Sequence, residues 1–313
     1  MDTNKKIIEE KDTQDVLLKY LSQERKPEIN EAPTTSININ PNVKVSEADF
    51  VAIDAQMMPM RDFYPIGTMI MVRPLKTTEI QAYSLVTENI ADVYDKLNNA
   101  FQSSVRVKYP NGEIKSYLDV KDGDRFYLAY KIRELTYSAA KVLTVKESCE
   151  CGTETTIEYF THNFNLLSIP EPLKEYYDSY KRCFVLPVGN TVYEIAPPSI
   201  GIQRDITNYI AALAKKNKDK KTTIDLSFVK TVPFLIKGNS ISEKGIEAKI
   251  QEFKSMDRDD FNDLDNFITA IILGVDTIKG VCPSCDSEVH TSNLFPYGFK
   301  SLLTKPNPFT SNN

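Results

Sequence analysis

The chain has no tryptophan, only two histidines and only five cysteines among 313 residues. Two histidines leave little scope for general-base chemistry of the kind most hydrolases use. Five cysteines are too few for a disulfide framework at this size, and four of them fall in two close pairs, so reduced thiols are expected. No glycine-rich phosphate loop, dinucleotide fingerprint or nucleophile elbow occurs. Long apolar runs are also missing. The longest lies near Phe267 to Val275, about half of what a membrane-spanning helix needs, and the polar start Met1 to Glu10 is unlike a secretory signal. A soluble protein made in a cytosol is expected, with no membrane anchor. The formal charge of -5 gives no general attraction to phosphate backbones, so nucleic acid is not expected as a partner.

What the chain does contain suggests an α+β protein in four parts. Residues 1–48, polar and punctuated by Pro27, Pro33 and Pro41, read as a flexible arm. A short helix there would put Val16, Leu17 and Tyr20 on one face, suited to docking on a neighbour. Residues 49–160 read as an α+β core. Gly67 turns the chain into a strand from Thr68 to Val72, and Thr77 or Thr78 caps a helix. Its stripe Ile80, Tyr83, Thr87, Ile90, Tyr94, Leu97 and Phe101 predicts one long helical face. Pro110-Asn111-Gly112 marks a hairpin. Asp122-Gly123-Asp124 should cap a helix carrying Leu128, Ile132 and Leu135, and Val142 to Val145 and Thr155 to Phe160 read as strands. Residues 161–280 read as a mainly helical insertion lobe. It holds a strand-like Cys183 to Leu186, helices from Ile202 and over 222–237 as far as Pro233, and two more capped by Ser242 and Asp257. The last carries its apolar spacing to Val275. Residues 281–313 contain the second cysteine pair and the C-terminal segment.

The pairs are Cys149-Glu150-Cys151-Gly152 and Cys282-Pro283-Ser284-Cys285. Four soft thiolates beside extended segments suit a tetrahedral zinc ion in a discontinuous zinc ribbon. Loop closure grows only logarithmically with length, so the large helical insertion between the pairs is no obstacle. Such a site is closed to substrate, which makes Zn2+ structural and points away from an enzyme. Competing readings are two unrelated thiol pairs, an iron–sulfur cluster, or a redox dithiol at Cys282 and Cys285. His162 or His290 could replace a sulfur, although each reads better as an ordinary surface group. Cys183 reads as a small buried hydrophobe. The aspartates at 257, 259, 260, 263 and 265 lack calcium-loop spacing and read as a solvated helix face. The basic run Lys215 to Lys221 has no interleaved aromatics and reads as an exposed helix end.

Several of these segments together resemble a family. Phe63-Tyr64-Pro65 with Gly67, then Arg73-Pro74-Leu75-Lys76-Thr77-Thr78-Glu79, resembles the opening of a baseplate protein family of contractile-tailed bacteriophages. Asp124-Arg125-Phe126-Tyr127-Leu128 with Arg133-Glu134-Leu135-Thr136 is similar to its central helix. The cysteine pairs and Leu294-Phe295-Pro296 resemble its metal-binding portion and ending. The best-known members are baseplate hub subunits of T4-like phages. The resemblance covers roughly residues 60 to 160 and 260 to 300. It implies a structural role in tail assembly, within a symmetric hetero-oligomeric assembly of baseplate and tail proteins. It also implies a place in the virion tail baseplate after synthesis in the host bacterial cytoplasm, and it carries no catalytic residues. A zinc-ribbon nucleic-acid-binding adaptor is the alternative. It would need a contiguous basic, aromatic surface.

Overall fold

The computed structural model describes residues 49–137, 143–216 and 226–304. The proposed arm at 1–48 lies outside the described residues, as do positions 217–221 of the basic run.

The first core is built on a four-stranded antiparallel sheet in the order β1 (Val51–Asp54), β2 (Met69–Val72), β3 (Val105–Lys108), β4 (Ile114–Ser116). Strand periodicity puts Ile70, Val72, Val105 and Val107 on one face, and all four are fully buried. Against that core pack α2 (Ile90–Ser104), through Val93, Leu97 and Phe101, and α3 (Arg125–Thr136), through Leu128 and Ile132. The β3–β4 hairpin closes over Asn111 and Gly112, the latter at φ +83, as the asparagine-glycine signal predicts.

Three sequence expectations fail here. Neither Thr77 nor Thr78 caps the first helix, which begins at Thr77 with Lys76 in the cap position. The stripe from Ile80 to Phe101 is not one helix but α1 (Thr77–Ser84) and α2, because Asn89 caps α2 by accepting from the Ala91 amide at 2.9 Å. Val86, fully buried between them, anchors the break. Nor does Asp124 cap α3. Its carboxylate points inward, accepting from the Met60 amide at 2.9 Å and the Tyr64 hydroxyl at 2.7 Å.

Beyond α3 come two hairpins. One is β5 (Thr144–Ser148) with β6 (Glu154–Glu158); the other is β11 (Val275–Val281) with β12 (Glu288–Thr291). A third strand, β7 (Phe164–Leu166), pairs with β11 on its other edge. Ile157, Tyr159, Ile278 and Val289 join the first core, which makes the hairpins continuous with it. The C-terminal segment locks onto the same core. Leu302 and Leu303 are fully buried, and Arg133 donates to the Ser301 carbonyl at 2.5 Å.

Between β7 and β11 lies the second core. It contains a three-stranded antiparallel sheet, β8 (Tyr177–Asp178), β9 (Cys183–Val188) and β10 (Thr191–Ile195), so the 161–280 segment is less purely helical than its sequence suggests. Helices α4 (Ile200–Lys216), α5 (Ser227–Thr231), α6 (Glu243–Lys254) and α7 (Arg258–Thr269) supply the rest. Ser242 caps α6 as expected, accepting from Gly245 at 3.2 Å. Of the helix expected over 222–237 as far as Pro233, positions 222–225 lie outside the described residues; the rest is α5, followed by a 3-10 turn over Val232–Leu235. Also, α7 stops at Thr269 rather than reaching Val275, because Gly274 at φ +138 turns the chain into β11. Strand β7 and all of β11 but Val281 therefore fall inside 161–280, although β7 pairs with β11 and β11 with β12. Among the described residues no helix is long and apolar enough to cross a membrane.

Candidate metal centre

Each cysteine pair sits in the turn of a hairpin, and the two turns are built alike. In the first, Cys149 donates its amide to Thr153 at 2.9 Å and accepts from Gly152, whose φ of +84 allows the tight reversal after a one-residue gap. In the second, Cys282 donates to Ser287 at 2.9 Å and accepts from Asp286 at 3.0 Å, with Asp286 at φ +58. In both, the first cysteine is buried and the second exposed.

Packing brings the turns face to face. Gly280 is what permits the approach, since a Cβ there would meet Ile157 at 3.0 Å. The Thr153 hydroxyl also donates to Ser284 at 3.0 Å across the seam. The sulfurs of Cys149 and Cys285 lie 3.5 Å apart, those of Cys151 and Cys282 3.6 Å apart, and all four lie within 4.8 Å of one another. A disulfide would need about 2.05 Å. A tetrahedron with metal–sulfur bonds of about 2.3 Å has sulfur–sulfur edges of about 3.8 Å. The observed cluster brackets that edge.

The surroundings also suit thiolates. Backbone N–H groups of Ser284 and Cys285 hold Cys282 down at about 6 although burial opposes them. Thr153 lowers Cys151 through its side chain and backbone. For Cys149 the Cys151 backbone pulls downward, but burial and the other three thiols push it up to about 12. Four thiols confined this closely cannot all ionise without a cation among them. Thr155 is fully buried and its hydroxyl has no geometric hydrogen-bond partner. Set beside Cys282, it is a donor suited to a metal-bound thiolate. The residues present therefore fit a four-thiolate metal site.

The alternative ligands do not join it. His162 stacks on Phe160, with ring centroids 5.2 Å apart, and the Nδ1 of His290 faces the Asn165 amide at 3.1 Å. Cys183 is buried in β9, away from the cluster. The aspartates from 257 to 265 form no ligand group among the described residues; Asp265 instead takes Thr231 at 3.0 Å and Lys230 at 3.1 Å. Sequence reasoning missed Thr153, Thr155 and Ser284. Hydroxyl residues two and four positions beyond Cys151, and between Cys282 and Cys285, are the signal that was there to be read.

Several polar residues of the family-like motifs are internally engaged, while Lys76, Thr77 and Thr78 are exposed. Arg73 forms a two-bond pair with Glu79 at 2.6 and 3.0 Å. Arg125, almost fully buried, binds Asp122 and Asn98, each at 2.5 Å, and lies over the Tyr94 ring. Glu134 takes Lys131 at 2.7 Å and the Thr161 amide. No family model, curated protein or solved structure matches this chain.

Proposed function

We propose that this chain is a non-catalytic structural subunit, clamped by zinc, of a contractile phage tail baseplate or hub. The cluster of four sulfurs from two distant turns carries the structural half of this reading. Soft thiolates in a tetrahedral set favour Zn2+ over harder dications, and a site saturated by four of them leaves no position for substrate or activated water. When bound, the ion supplies a cross-link and no reaction. The setting rests on the sequence resemblance. Its support is that five polar residues of those motifs, Arg73, Glu79, Asp124, Arg125 and Glu134, are bonded within the fold. On this reading the partners are other baseplate and tail proteins in a symmetric hetero-oligomer. The subunit is made in the bacterial cytoplasm and retained in the virion.

The test is mass spectrometry and cryo-electron microscopy of purified tails from the phage that encodes the chain. A fixed stoichiometry per particle, with density for both cores in the baseplate, is the expected result. Absence from intact particles and from baseplate intermediates would reject the reading. Zinc itself is checked on the purified chain by elemental analysis, where one equivalent is expected.

A further inference from the structure

At the seam between the two cores lies a cleft of about 600 Å³. Its apolar lining includes Phe63, which reaches from the loop before β2 into the second core, and Phe234 and Ile236. At its mouth Tyr180 is 95% exposed and Ile66 69% exposed, so apolar surface continues outward to solvent. The charged lining is one-sided. Lys121, Lys181, Arg182 and Lys237 face a single carboxylate, Glu194. Lys181 approaches one Glu194 oxygen at 2.9 Å and Lys237 the other, so that carboxylate is fully engaged.

Lys121 is left over. Its ammonium donates to the Pro197 carbonyl at 3.2 Å, which uses one of three protons, and no ion pair is formed by it among the described residues. The nearest acids are committed elsewhere. Asp124 serves Met60 and Tyr64, and Asp119 accepts from Asn239 at 2.6 Å. Burial accordingly pulls the Lys121 ammonium below its usual range. A second cation is held at the mouth at a conformational cost. Arg182 has φ +58, a left-handed conformation unfavourable for a non-glycine residue. Asp178 fixes that turn, accepting from the Arg182 amide at 2.8 Å and, through its side chain, from Tyr180 and Lys181 at 2.9 and 3.0 Å.

We propose that this cleft is a docking site for an apolar peptide segment of a partner protein, whose carboxylate is received by Lys121. The volume is in the range of ordinary ligand clefts. An excess of three positive charges over apolar walls complements an anionic group on an apolar body better than it does a bare oxyanion, which would leave Phe63, Phe234 and Ile236 unused. The inference does not depend on the phage setting or on the metal.

The probe is N-acetyl-leucyl-phenylalanine with a free carboxylate, titrated into the full zinc-loaded chain by calorimetry, beside its C-terminal amide, decanoate and inorganic phosphate. Charge-assisted hydrogen bonding predicts that the acid binds at least about tenfold more tightly than the amide. Lys121→Met should erase that difference, and Lys121→Arg should retain most of it. Lys181→Ala with Lys237→Ala, both at exposed positions, should weaken the acid a few-fold and flatten its salt dependence while leaving the fold intact. Equal binding of acid and amide, or no binding at millimolar acid, would overturn the site. Phosphate competing as well as the peptide acid would remove the apolar half of the proposal. Tighter binding of decanoate would reassign the cleft to a lipid-like acid and overturn the peptide.

Discussion

Replacing Cys282 and Cys285 with serine would remove half of the proposed metal's ligands while changing two atoms in a turn. Cys151 and Cys282 are 131 residues apart in the chain, and a cross-link over that length restricts the unfolded ensemble by about 5 kcal/mol in the chain-entropy treatment. Unfolded chain that still holds zinc through one local pair would reduce the figure, so a loss of roughly 3–5 kcal/mol is expected against a typical total of about 5–15 kcal/mol. Urea unfolding with bound zinc measured on the same samples gives the magnitude. Chelator should bring the wild type down to the variant and leave the variant unmoved. Amide exchange then locates the effect. The β5–β6 hairpin, more than a hundred residues from the substitutions, should exchange faster because Cys149 and Cys151 have lost their counterpart. A variant without zinc whose urea midpoint and β5–β6 exchange equal those of the wild type would refute the clamp. In that case Ile157, Tyr159 and Ile278 hold the hairpins together unaided.

Further expectations concern the cores. Burial pushes Asp124 up to about 7, although Tyr64 and Met60 hydrogen bonds pull the other way. The native state therefore binds this proton more tightly than the unfolded chain, and stability should fall as pH rises from about 4 to 7, by at most roughly 1.4 kcal/mol per unit. Asp124→Asn should lack this component, so its stability relative to the wild type should climb with pH in paired urea titrations; parallel profiles would contradict the assignment. Gly201→Ala places a Cβ 1.9 Å from the Asn239 carbonyl oxygen, and a loss of about 2–3 kcal/mol is expected by thermal or urea unfolding. Leu303→Ala, at a fully buried position, should cost about 2–5 kcal/mol and free the C-terminal segment from α3, seen as faster proteolysis there.

The four-cysteine cluster was legible because its signal is local and chemical. Two cysteine pairs beside extended segments need only a fold that brings them together. The hairpin at Asn111-Gly112 and the Ser242 cap were legible for the same reason, since each is decided by a few adjacent residues. Elsewhere tertiary context prevailed. Apolar periodicity runs through Thr87 without showing that Asn89 would cap a second helix, and through Ile271 without showing that Gly274 would turn the chain into β11. Asp124 has every local qualification of a cap, but the better partners, Met60 and Tyr64, lie sixty residues upstream. The cationic cleft had no sequence signal at all, because Lys121, Arg182 and Lys237 become neighbours only when the second core folds against the first.

The second core leaves the first at Leu167 and returns at Gly274, where the Leu167 amide donates to the Gly274 carbonyl at 2.9 Å. Both connections run into the antiparallel pair β7–β11, and the cysteine turn stands at the opposite end of β11. The two cores are also tied away from that pair: the Ile200 amide donates to the Val120 carbonyl at 2.8 Å, the Asp122 amide to the Pro198 carbonyl at 2.9 Å and the Asn239 side-chain amide to Asp119 at 2.6 Å. A pull on the second core is therefore shared between β7–β11 and these bonds, and neither set can open while the other holds.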